Sequence, residues 1–387
     1  MSAETWLSAK NTICKNASIV VVKVGSAVIT NEEGLAIDVL TDLADQITAL
    51  GRAKENRRIV LVTSGAVAAG RSILKKHGMT QAQGLAAKQA IAAIGQAQLM
   101  QAWDSVFQKH KKATAQVLLT RDDLISRQRF LNVRNTFSEL LDWNVLPIVN
   151  ENDTVSVDEL KFGDNDSLSS LLVNLVHAEL LVNLTQAPGV YALDPSTNPS
   201  AEILDHIDDI QKRDLSAMCG SKTSVGTGGM YAKLRAARRT AQLGVPTLIL
   251  PGRSPNILER AFAQDATLGT YICPDARAIP RRKYWLAYQR DPMGTLTVDS
   301  GAAKALLYEG RSLLPGGITE VSGSFQKGAL VAIRSESKEI GVGLTNYSAQ
   351  DLARIKGLKR HEVAAILGNA HYPDVIHRDN MLLNAVV

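Results

Sequence analysis

Two short polar clusters in the middle of the chain contain the residue types from which a binding or catalytic site is built. The first is Asn150-Glu151-Asn152-Asp153-Thr154, and the second, shortly after it, is Phe162-Gly163-Asp164-Asn165-Asp166-Ser167. Asp, Asn and Gly also serve turns, through backbone hydrogen bonds and left-handed conformations. Two such clusters so close together, flanked by apolar sequence, favour a site over a pair of turns, although the spacing alone names no chemistry.

The composition is that of a globular protein with room for two domains, since the chain has 387 residues, 45% of them hydrophobic and 21% charged. The three cysteines are far apart and form no CxxC pair, which argues against a disulfide framework and a zinc site. The polar N-terminus lacks the apolar segment of a signal peptide, and no stretch has the roughly 18 apolar residues of a membrane span. We therefore expect a cytoplasmic protein that does not contact the membrane.

The net charge of +5 is unevenly distributed along the chain. Residues 1–275 contain 28 Lys and Arg and 28 Asp and Glu, whereas residues 276–387 contain 15 basic and 10 acidic residues. The C-terminal part therefore differs in character. An excess of this size is modest, and a solvated surface explains it most simply.

Six apolar, mostly β-branched segments alternate with segments of helical periodicity, a pattern typical of a parallel sheet covered by helices on both faces. The fold class that we expect is α/β, a three-layer αβα sandwich around a mainly parallel open sheet. The predicted strands are Ser18–Val24, Arg58–Thr63, Thr114–Leu119, Val145–Asn150, Glu179–Leu184 and Thr247–Leu250.

Polar side chains lie at or directly after the ends of these strands, at the edge where open α/β sheets bind ligands. Lys23 lies near the end of the first strand, Ser64 follows the second in a turn of small residues, and Thr185 follows the fifth. A lysine in a buried strand is costly unless its ammonium group reaches a partner or water, so we expect Lys23 to reach into a crevice. The small residues after Ser64 suit an anion at a helix N-terminus and close helix packing equally well.

A glycine-rich segment, Ser224–Lys233, leads into a helical pattern that carries Lys233 in its first turn. Glycines let backbone N–H groups approach a phosphate, and the helix N-terminus and the lysine add positive potential. The segment is neither a Walker A motif nor GxGxxG after a strand, so phosphate binding and a surface turn remain equal alternatives on this segment alone.

Eight short motifs, which occur in a fixed order along the chain, together identify one protein family with high specificity. They are Val22-Lys23-Val24-Gly25-Ser26, Val62-Thr63-Ser64-Gly65-Ala66, Val149-Asn150-Glu151-Asn152-Asp153, Phe162-Gly163-Asp164-Asn165-Asp166, Gly226-Thr227-Gly228-Gly229-Met230, Ser312-Leu313-Leu314-Pro315 with Gly317, Asn346-Tyr347-Ser348 and Val375-Ile376-His377-Arg378-Asp379. From about Ser18 to Asn380, the chain resembles the glutamate 5-kinases, members of the amino acid kinase family that carry a C-terminal PUA domain.

The resemblance implies a domain order. We expect an N-terminal tail at 1–17, an amino acid kinase domain at 18–275, a linker at 276–290 and a PUA domain at 291–380. The sequence after Asp275 agrees, because short strand-like runs with glycines indicate a small, mostly β domain.

The resemblance also implies an activity, the ATP- and Mg²⁺-dependent phosphorylation of the side-chain carboxylate of L-glutamate. The product is L-glutamyl 5-phosphate, at the first step of proline biosynthesis, with proline as feedback inhibitor and a homo-oligomer, dimer or tetramer, as the expected assembly. RNA is a further partner that a PUA domain implies.

Roles carry over from the family to individual residues of this chain. The implied catalytic residues are Lys23, Lys233, Asp166 and Asp164. The implied glutamate-binding residues are Ser64, Asp153 and Asn165. The implied ATP contacts are Lys23, Thr185, Gln186, Thr227, Gly228, Gly229, Met230, Tyr231, Ala232 and Lys233, and no metal ligand is assigned.

Elementary chemistry agrees with these roles. Phosphoryl transfer needs positioning and neutralisation of charge, and a carboxylate acceptor is already ionised at neutral pH, so no general base is required. Two residues depart from the family pattern, because Gln186 stands where an Asp is common and Ala27 where many members carry a hydroxyl.

Two alternative functions remain open from the sequence. One keeps the fold and changes the acceptor to aspartate, acetylglutamate, carbamate or a nucleotide, although the Asn150–Asp153 cluster and the C-terminal part favour glutamate. The other is an RNA-binding protein dominated by the C-terminal domain, against which the small net charge argues.

Overall fold

The computed structural model describes residues 3–79, 84–156, 165–219, 229–263, 267–276, 278–281, 292–336, 338–368 and 372–383. The chain divides into two compact units, Met1–Ala278 and Ile279–Val387. Within the described residues, every helix is too short or too polar to cross a lipid bilayer.

An eight-stranded sheet forms the centre of the first unit. Its strands are β1 (Ile19–Val24), β4 (Arg58–Thr63), β5 (Thr114–Leu119), β6 (Leu146–Glu151), β7 (Leu180–Thr185), β10 (His206–Ile207), β11 (Thr247–Pro251) and β12 (Thr270–Ile272). Their spatial order is β10-β12-β11-β7-β1-β4-β6-β5. Two small hairpins lie outside the sheet, β2 (Thr30–Asn31) with β3 (Gly34–Leu35), and β8 (Val190–Tyr191) with β9 (Ile203–Leu204).

Strand β1 lies in the middle of the sheet and pairs in parallel with both β4 and β7. Its side chains are buried on both faces, which is why its sequence is a continuous apolar run rather than an alternating one. All six predicted strands are present within a residue or two of their predicted ends. Strands β10 and β12, which run antiparallel to the others, were not predicted, since two or three residues carry no recognisable pattern.

Helices cover the sheet on both faces, so the α/β class and the mainly parallel sheet are confirmed. The helices are α1 (Ala3–Asn16), α2 (Ser26–Ile29), α3 (Ile37–Arg52), α4 (Ala66–Lys76), α5 (Leu85–Gln108), α6 (Arg121–Ile125), α7 (Arg127–Asp142), α8 (Asn165–Leu175), α9 (Leu215–Cys219), α10 (Met230–Gln242) and α11 (Ile257–Phe262), with a 3₁₀ turn at Ile210–Lys212.

The segment that we separated as an N-terminal tail contains helix α1. Trp6 and Cys14 are buried in the same apolar core as β1 and α3. Trp6 also stacks on the His206 ring, with centroids 4.8 Å apart. Residues 3–16 are thus part of the first unit. Their sequence is polar on average, so the narrow apolar face of the helix was not recognised.

The second unit is built on a five-stranded sheet of order β14-β13-β15-β16-β17. Its strands are β13 (Gly294–Val298), β14 (Ile318–Gly323), β15 (Leu330–Ser335), β16 (Lys338–Leu344) and β17 (Met381–Leu383). Its helices are α12 (Ser300–Glu309), α13 (Ala349–Ile355) and α14 (Arg360–Leu367), with 3₁₀ turns at Pro315–Gly317 and Arg378–Asn380. The short strand-like runs that we predicted after Asp275 correspond to the first four of these strands, whereas β17 and the helices were not predicted.

Each unit has its own apolar core, so a chain ending at Ala278 is expected to fold alone. Circular dichroism should show a helical spectrum, and thermal melting should show one cooperative transition. An aggregated or unfolded product would contradict the independence of the first unit.

Candidate active site

A cleft of about 720 Å³ opens at the carboxyl ends of β1, β4, β6 and β7, within the volume range of small-molecule sites. It brings together side chains from distant parts of the first unit. The implied site residues that line it are Lys23, Ser64, Asp153, Asn165, Thr185, Gln186, Gly229, Met230 and Lys233. The topology explains this, because parallel strands direct their carboxyl ends to one edge of the sheet.

An aspartate and two lysines form a charged group at the bottom of the cleft. The Asp166 side chain is fully buried, with Lys23 Nζ 2.6 Å from its Oδ1 and Lys233 Nζ 3.1 Å from its Oδ2. Both lysines are also almost completely buried, with 3% and 5% of their side chains exposed. Asp166 balances one of the two positive charges, so the group presents one net positive charge to the cleft.

Three elements hold this group in place. Lys23 comes from β1, Asp166 from the first turn of α8, and Lys233 from the first turn of α10. A fourth residue, Asn183 of β7, donates from Nδ2 to Asp166 Oδ1 over 2.7 Å. Burial alone would raise the pKa of the Asp166 carboxyl, but the charges of Lys23 and Lys233 and the hydrogen bonds outweigh it and lower the pKa. Asp166 is therefore ionised at neutral pH.

The Asn165 amide links the two polar clusters of the sequence. Its Nδ2 lies 2.9 Å from the Thr63 carbonyl oxygen, 2.7 Å from Ser64 Oγ and 2.8 Å from Asn150 Oδ1. An amide nitrogen has two hydrogens to donate to these three acceptors. The Asn165 Oδ1 atom is buried and has no hydrogen-bond partner among the residues that the structure describes.

Helix N-termini add positive potential to the cleft. Helices α4, α8 and α10 all begin at its lining, and each begins with backbone N–H groups that have no intrahelical acceptor. Gly65 precedes α4 with φ of +109°, a left-handed conformation that favours glycine. The arrangement suits an anionic ligand.

The two departures from the family pattern contact each other. Gln186 donates from Nε2 to the backbone carbonyl of Ala27 over 2.9 Å, which joins the loop after β7 to the segment after β1. An aspartate side chain is ionised and cannot donate in this way. The glutamine thus supplies a link between two loops that form one end of the cleft.

Some implied site residues are not placed in the cleft. Asp164, Thr227 and Gly228 lie outside the described residues. Tyr231 and Ala232 lie in the first turn of α10 beside the cleft, but they are not part of its lining. Ser167 lies inside α8 and not at its N-cap, because the helix already includes Asn165, and the Ser167 hydroxyl accepts from Arg239.

Sequence reasoning missed two cations in the cleft wall, Arg71 of α4 and Lys88 of α5. They reach it because α4 and α5 cross in backbone contact at Gly70 and Gly95. A Cβ atom on Gly70 would lie 1.9 Å from the Ile91 carbonyl oxygen. The two glycines were the available signal, since a glycine inside a helix often marks such an approach.

Metal-binding side chains are not clustered in the described part of the chain, where no group of three His, Cys, Asp or Glu residues could hold a metal ion. The Asp166 carboxylate faces the two lysines, and the other carboxylates in the described part of the cleft lining belong to Glu151 and Asp153. Oxygen donors of this kind suit Mg²⁺, which commonly takes one or two carboxylates and completes its shell with phosphate oxygens and water.

Comparison with known proteins assigns the chain to a family. Residues 18–251 match the amino acid kinase family, and residues 294–367 match the PUA domain. The glutamate 5-kinase of Nitratidesulfovibrio vulgaris is 60% identical over 383 residues, which cover 99% of this chain and all of the relative. The glutamate 5-kinases of Oleidesulfovibrio alaskensis and Geobacter sulfurreducens are 53% and 45% identical, over 99% and 94% of this chain and 100% and 97% of their own lengths. The chain therefore belongs to the amino acid kinase family, as a member of its glutamate 5-kinase group with a C-terminal PUA domain.

Proposed function

We propose that the protein transfers the γ-phosphoryl group of ATP to the side-chain carboxylate of L-glutamate, forming L-glutamyl 5-phosphate for proline biosynthesis. The observation that carries this proposal is the buried Lys23–Asp166–Lys233 group beneath a cleft lined by Ser64, Asp153 and Asn165. Because ATP is the donor, we propose a cytoplasmic location.

The chemistry requires little beyond charge and position. The moving phosphoryl group and the acceptor carboxylate are both negative, and the lysine ammonium groups offset their repulsion in a cleft of reduced dielectric. Asp166 fixes both lysines before the substrates bind, so little reorganisation is needed during transfer. The free glutamate side chain has a pKa near 4.3, so it is ionised at neutral pH and needs no general base.

The glutamate end of the cleft carries groups that complement a zwitterion with two carboxylates. Ser64 can donate to a substrate carboxylate, and Asp153 can accept from the ammonium group. Asn165 lies in the same lining, contacts Ser64 Oγ, and has a buried oxygen without a partner among the described residues. Arg71 and Lys88 are candidates to balance the carboxylate that is not phosphorylated, because each lines the same cleft.

The nucleotide end comprises the loop after β7 and the start of α10. Thr185, Gln186, Gly229 and Met230 line it, and we assign them to ATP together with Lys23 and Lys233. Mg²⁺ would arrive on the triphosphate and shield its charge. Among the described residues of the cleft lining, Glu151 and Asp153 carry the carboxylates that could contact the metal.

An acceptor comparison tests the substrate assignment. Purified protein is incubated with Mg-ATP and L-glutamate, L-aspartate or N-acetyl-L-glutamate, and ADP release is recorded with hydroxylamine present to trap an acyl phosphate. We expect ADP and a hydroxamate with L-glutamate alone. Turnover with a different acceptor would retain the fold and the lysines but reject the glutamate site.

Asp153→Ala is expected to raise the KM for glutamate by about 10- to 100-fold and to change kcat much less. The physical reason is the loss of one charge-assisted hydrogen bond to the substrate ammonium, worth about 1.5–3 kcal/mol. Initial-rate kinetics with varied glutamate measure this, and Asp142→Ala, at the end of α7, is the matched control. An unchanged glutamate KM would remove Asp153 from the substrate site.

Gln186→Ala is expected to raise the KM for ATP by about three- to ten-fold, since it removes one neutral hydrogen bond between the two loops. Gln211→Ala, which removes a side-chain bond to the Arg238 carbonyl elsewhere in the unit, is the control. Equal ATP KM values for wild type and Gln186→Ala would show that the link to Ala27 has no part in nucleotide binding.

The similarity to glutamate 5-kinases also suggests an inhibitor and an assembly. We propose inhibition by free proline, which initial rates with added proline would measure, and a homo-oligomer, dimer or tetramer, which sedimentation would measure. An alternative to the enzymatic function is RNA binding by the second unit. Genuine phosphate contacts should weaken steeply between low and moderate salt.

A further inference from the structure

A second cavity lies at the opposite edge of the main sheet, where the central strands begin. It has a volume of about 470 Å³ and is enclosed by the connections α3–β4, α5–β5 and α7–β6. The candidate active site lies at the carboxyl ends of the same strands. The two cavities are therefore separate, and none of the residues assigned to catalysis, glutamate or ATP lines the second one.

Positive charge is concentrated around this cavity. Six basic residues and one acidic residue, Glu55, line it, although residues 1–275 carry equal numbers of the two kinds. The six are Arg52, Lys54, Arg57, Arg58, Lys111 and Lys112. The cavity lining therefore carries five more positive than negative charges, although residues 1–275 as a whole carry no net charge.

Part of this charge stabilises helix ends. Arg57 donates to the Cys14, Lys15 and Leu50 carbonyls, and Arg58 donates from Nε to the Leu141 carbonyl over 2.8 Å. Helices α1, α3, α5 and α7 all end nearby, and each C-terminus carries about half a negative charge. Four such ends supply about two negative charges, which offset part of the surplus. Arg52, Lys54 and Lys112 also donate to the carbonyl oxygens of His110, Asn16 and Asn144.

Two of the lining cations keep donor groups that are not used within the described residues. The Nη atoms of Arg58 and the ammonium group of Lys111 make no hydrogen bond or ion pair with the described residues. Burial lowers the pKa of Lys112, and the charges of Arg58 and Arg52 lower it further, so these cations lie close together. The Thr48 hydroxyl, in the same lining, is buried and has no hydrogen-bond partner within the described part of the chain.

We propose that this cavity binds a small polyanion carrying phosphate or several carboxylate groups. The bound anion would balance the positive charge that two separate connections, α3–β4 and α5–β5, bring to the cavity. The cavity volume suits an anion of pyrophosphate to tricarboxylate size. The inference does not depend on the proposed kinase function, because it rests on charges at the other edge of the sheet.

Titration calorimetry with inorganic pyrophosphate tests the proposal. The full-length protein is titrated in metal-free buffer, and the variants described next separate binding in this cavity from binding in the active-site cleft. We expect one pyrophosphate to bind per chain, with an affinity that falls as salt is added. No pyrophosphate binding under these conditions would overturn the proposal.

Two double variants make the test specific to the cavity. Arg52→Gln with Lys111→Gln removes two exposed cations from the lining and should weaken pyrophosphate binding at least ten-fold. Lys75→Gln with Lys76→Gln removes the same charge from exposed positions at the end of α4 and should leave the affinity unchanged. Equal weakening by both pairs would mean a non-specific charge effect and would reject the site.

Discussion

Lys233→Ala is expected to lower kcat by about 10³-fold while the protein stays folded. Lys233 and Lys23 hold the two oxygens of one buried carboxylate, so the loss of Lys233 removes the net positive charge of the group. Asp166 keeps Lys23 and the Asn183 amide as partners, and no buried charge is left unpaired. The transition state therefore loses most of its charge stabilisation at little cost to the fold.

Steady-state kinetics with glutamate and Mg-ATP measure the loss, and circular dichroism checks the fold. Lys212→Ala is the matched control, because Lys212 is an exposed lysine of the same unit, paired with Asp209 at 2.9 Å. We expect wild-type turnover from the control. Wild-type turnover from Lys233→Ala would instead reject the role of Lys233 in transfer.

Asp166→Asn is expected to destabilise the protein by about 3–5 kcal/mol and to abolish activity. The substitution keeps the side-chain volume but leaves two buried ammonium groups without the carboxylate that balances them. Removal of one partner of a buried ion pair costs more than the pair contributes, because the remaining charge stays out of water.

Urea unfolding at pH 7 measures the free energy of unfolding. Asp209→Asn is the control, because it alters an ion pair at the surface and should change this free energy very little. The pKa of Asp166 is lowered in the folded protein, so its stabilisation is fully present above the unfolded pKa of about 3.9 and is lost as the pH falls through the folded pKa. An unfolding free energy equal to that of wild type would contradict the structural role of the carboxylate.

The sequence predicts the sheet well because its strands are buried on both faces. Continuous β-branched runs such as Ile19–Val24 have few other interpretations, and the alternation with helices leaves one architecture. The position of Lys23 at the end of such a run also predicted a crevice. Edge strands of two or three residues and the amphipathic helix α1 carry weaker patterns, and the sequence did not reveal them.

The candidate site was predicted as a set of residues and not as a geometry. Nothing in the spacing of Lys23 and Lys233 indicates that both contact Asp166, since the α10 helix that carries Lys233 reaches the cleft only through the fold. Asn183 was read as part of a buried strand, and its bond to Asp166 depends on the pairing of β7 beside β1. Contacts of this kind follow from strand order, which a single sequence does not specify.

Isotope transfer tests the central claim most directly. L-Glutamate labelled with ¹⁸O in its side-chain carboxylate is incubated with the protein, Mg-ATP and hydroxylamine, and the released phosphate is analysed by mass spectrometry. Attack of the carboxylate on the γ-phosphorus predicts one ¹⁸O atom in each phosphate that accompanies a hydroxamate. Unlabelled phosphate alone would mean that water, and not glutamate, accepts the phosphoryl group, and would contradict the account.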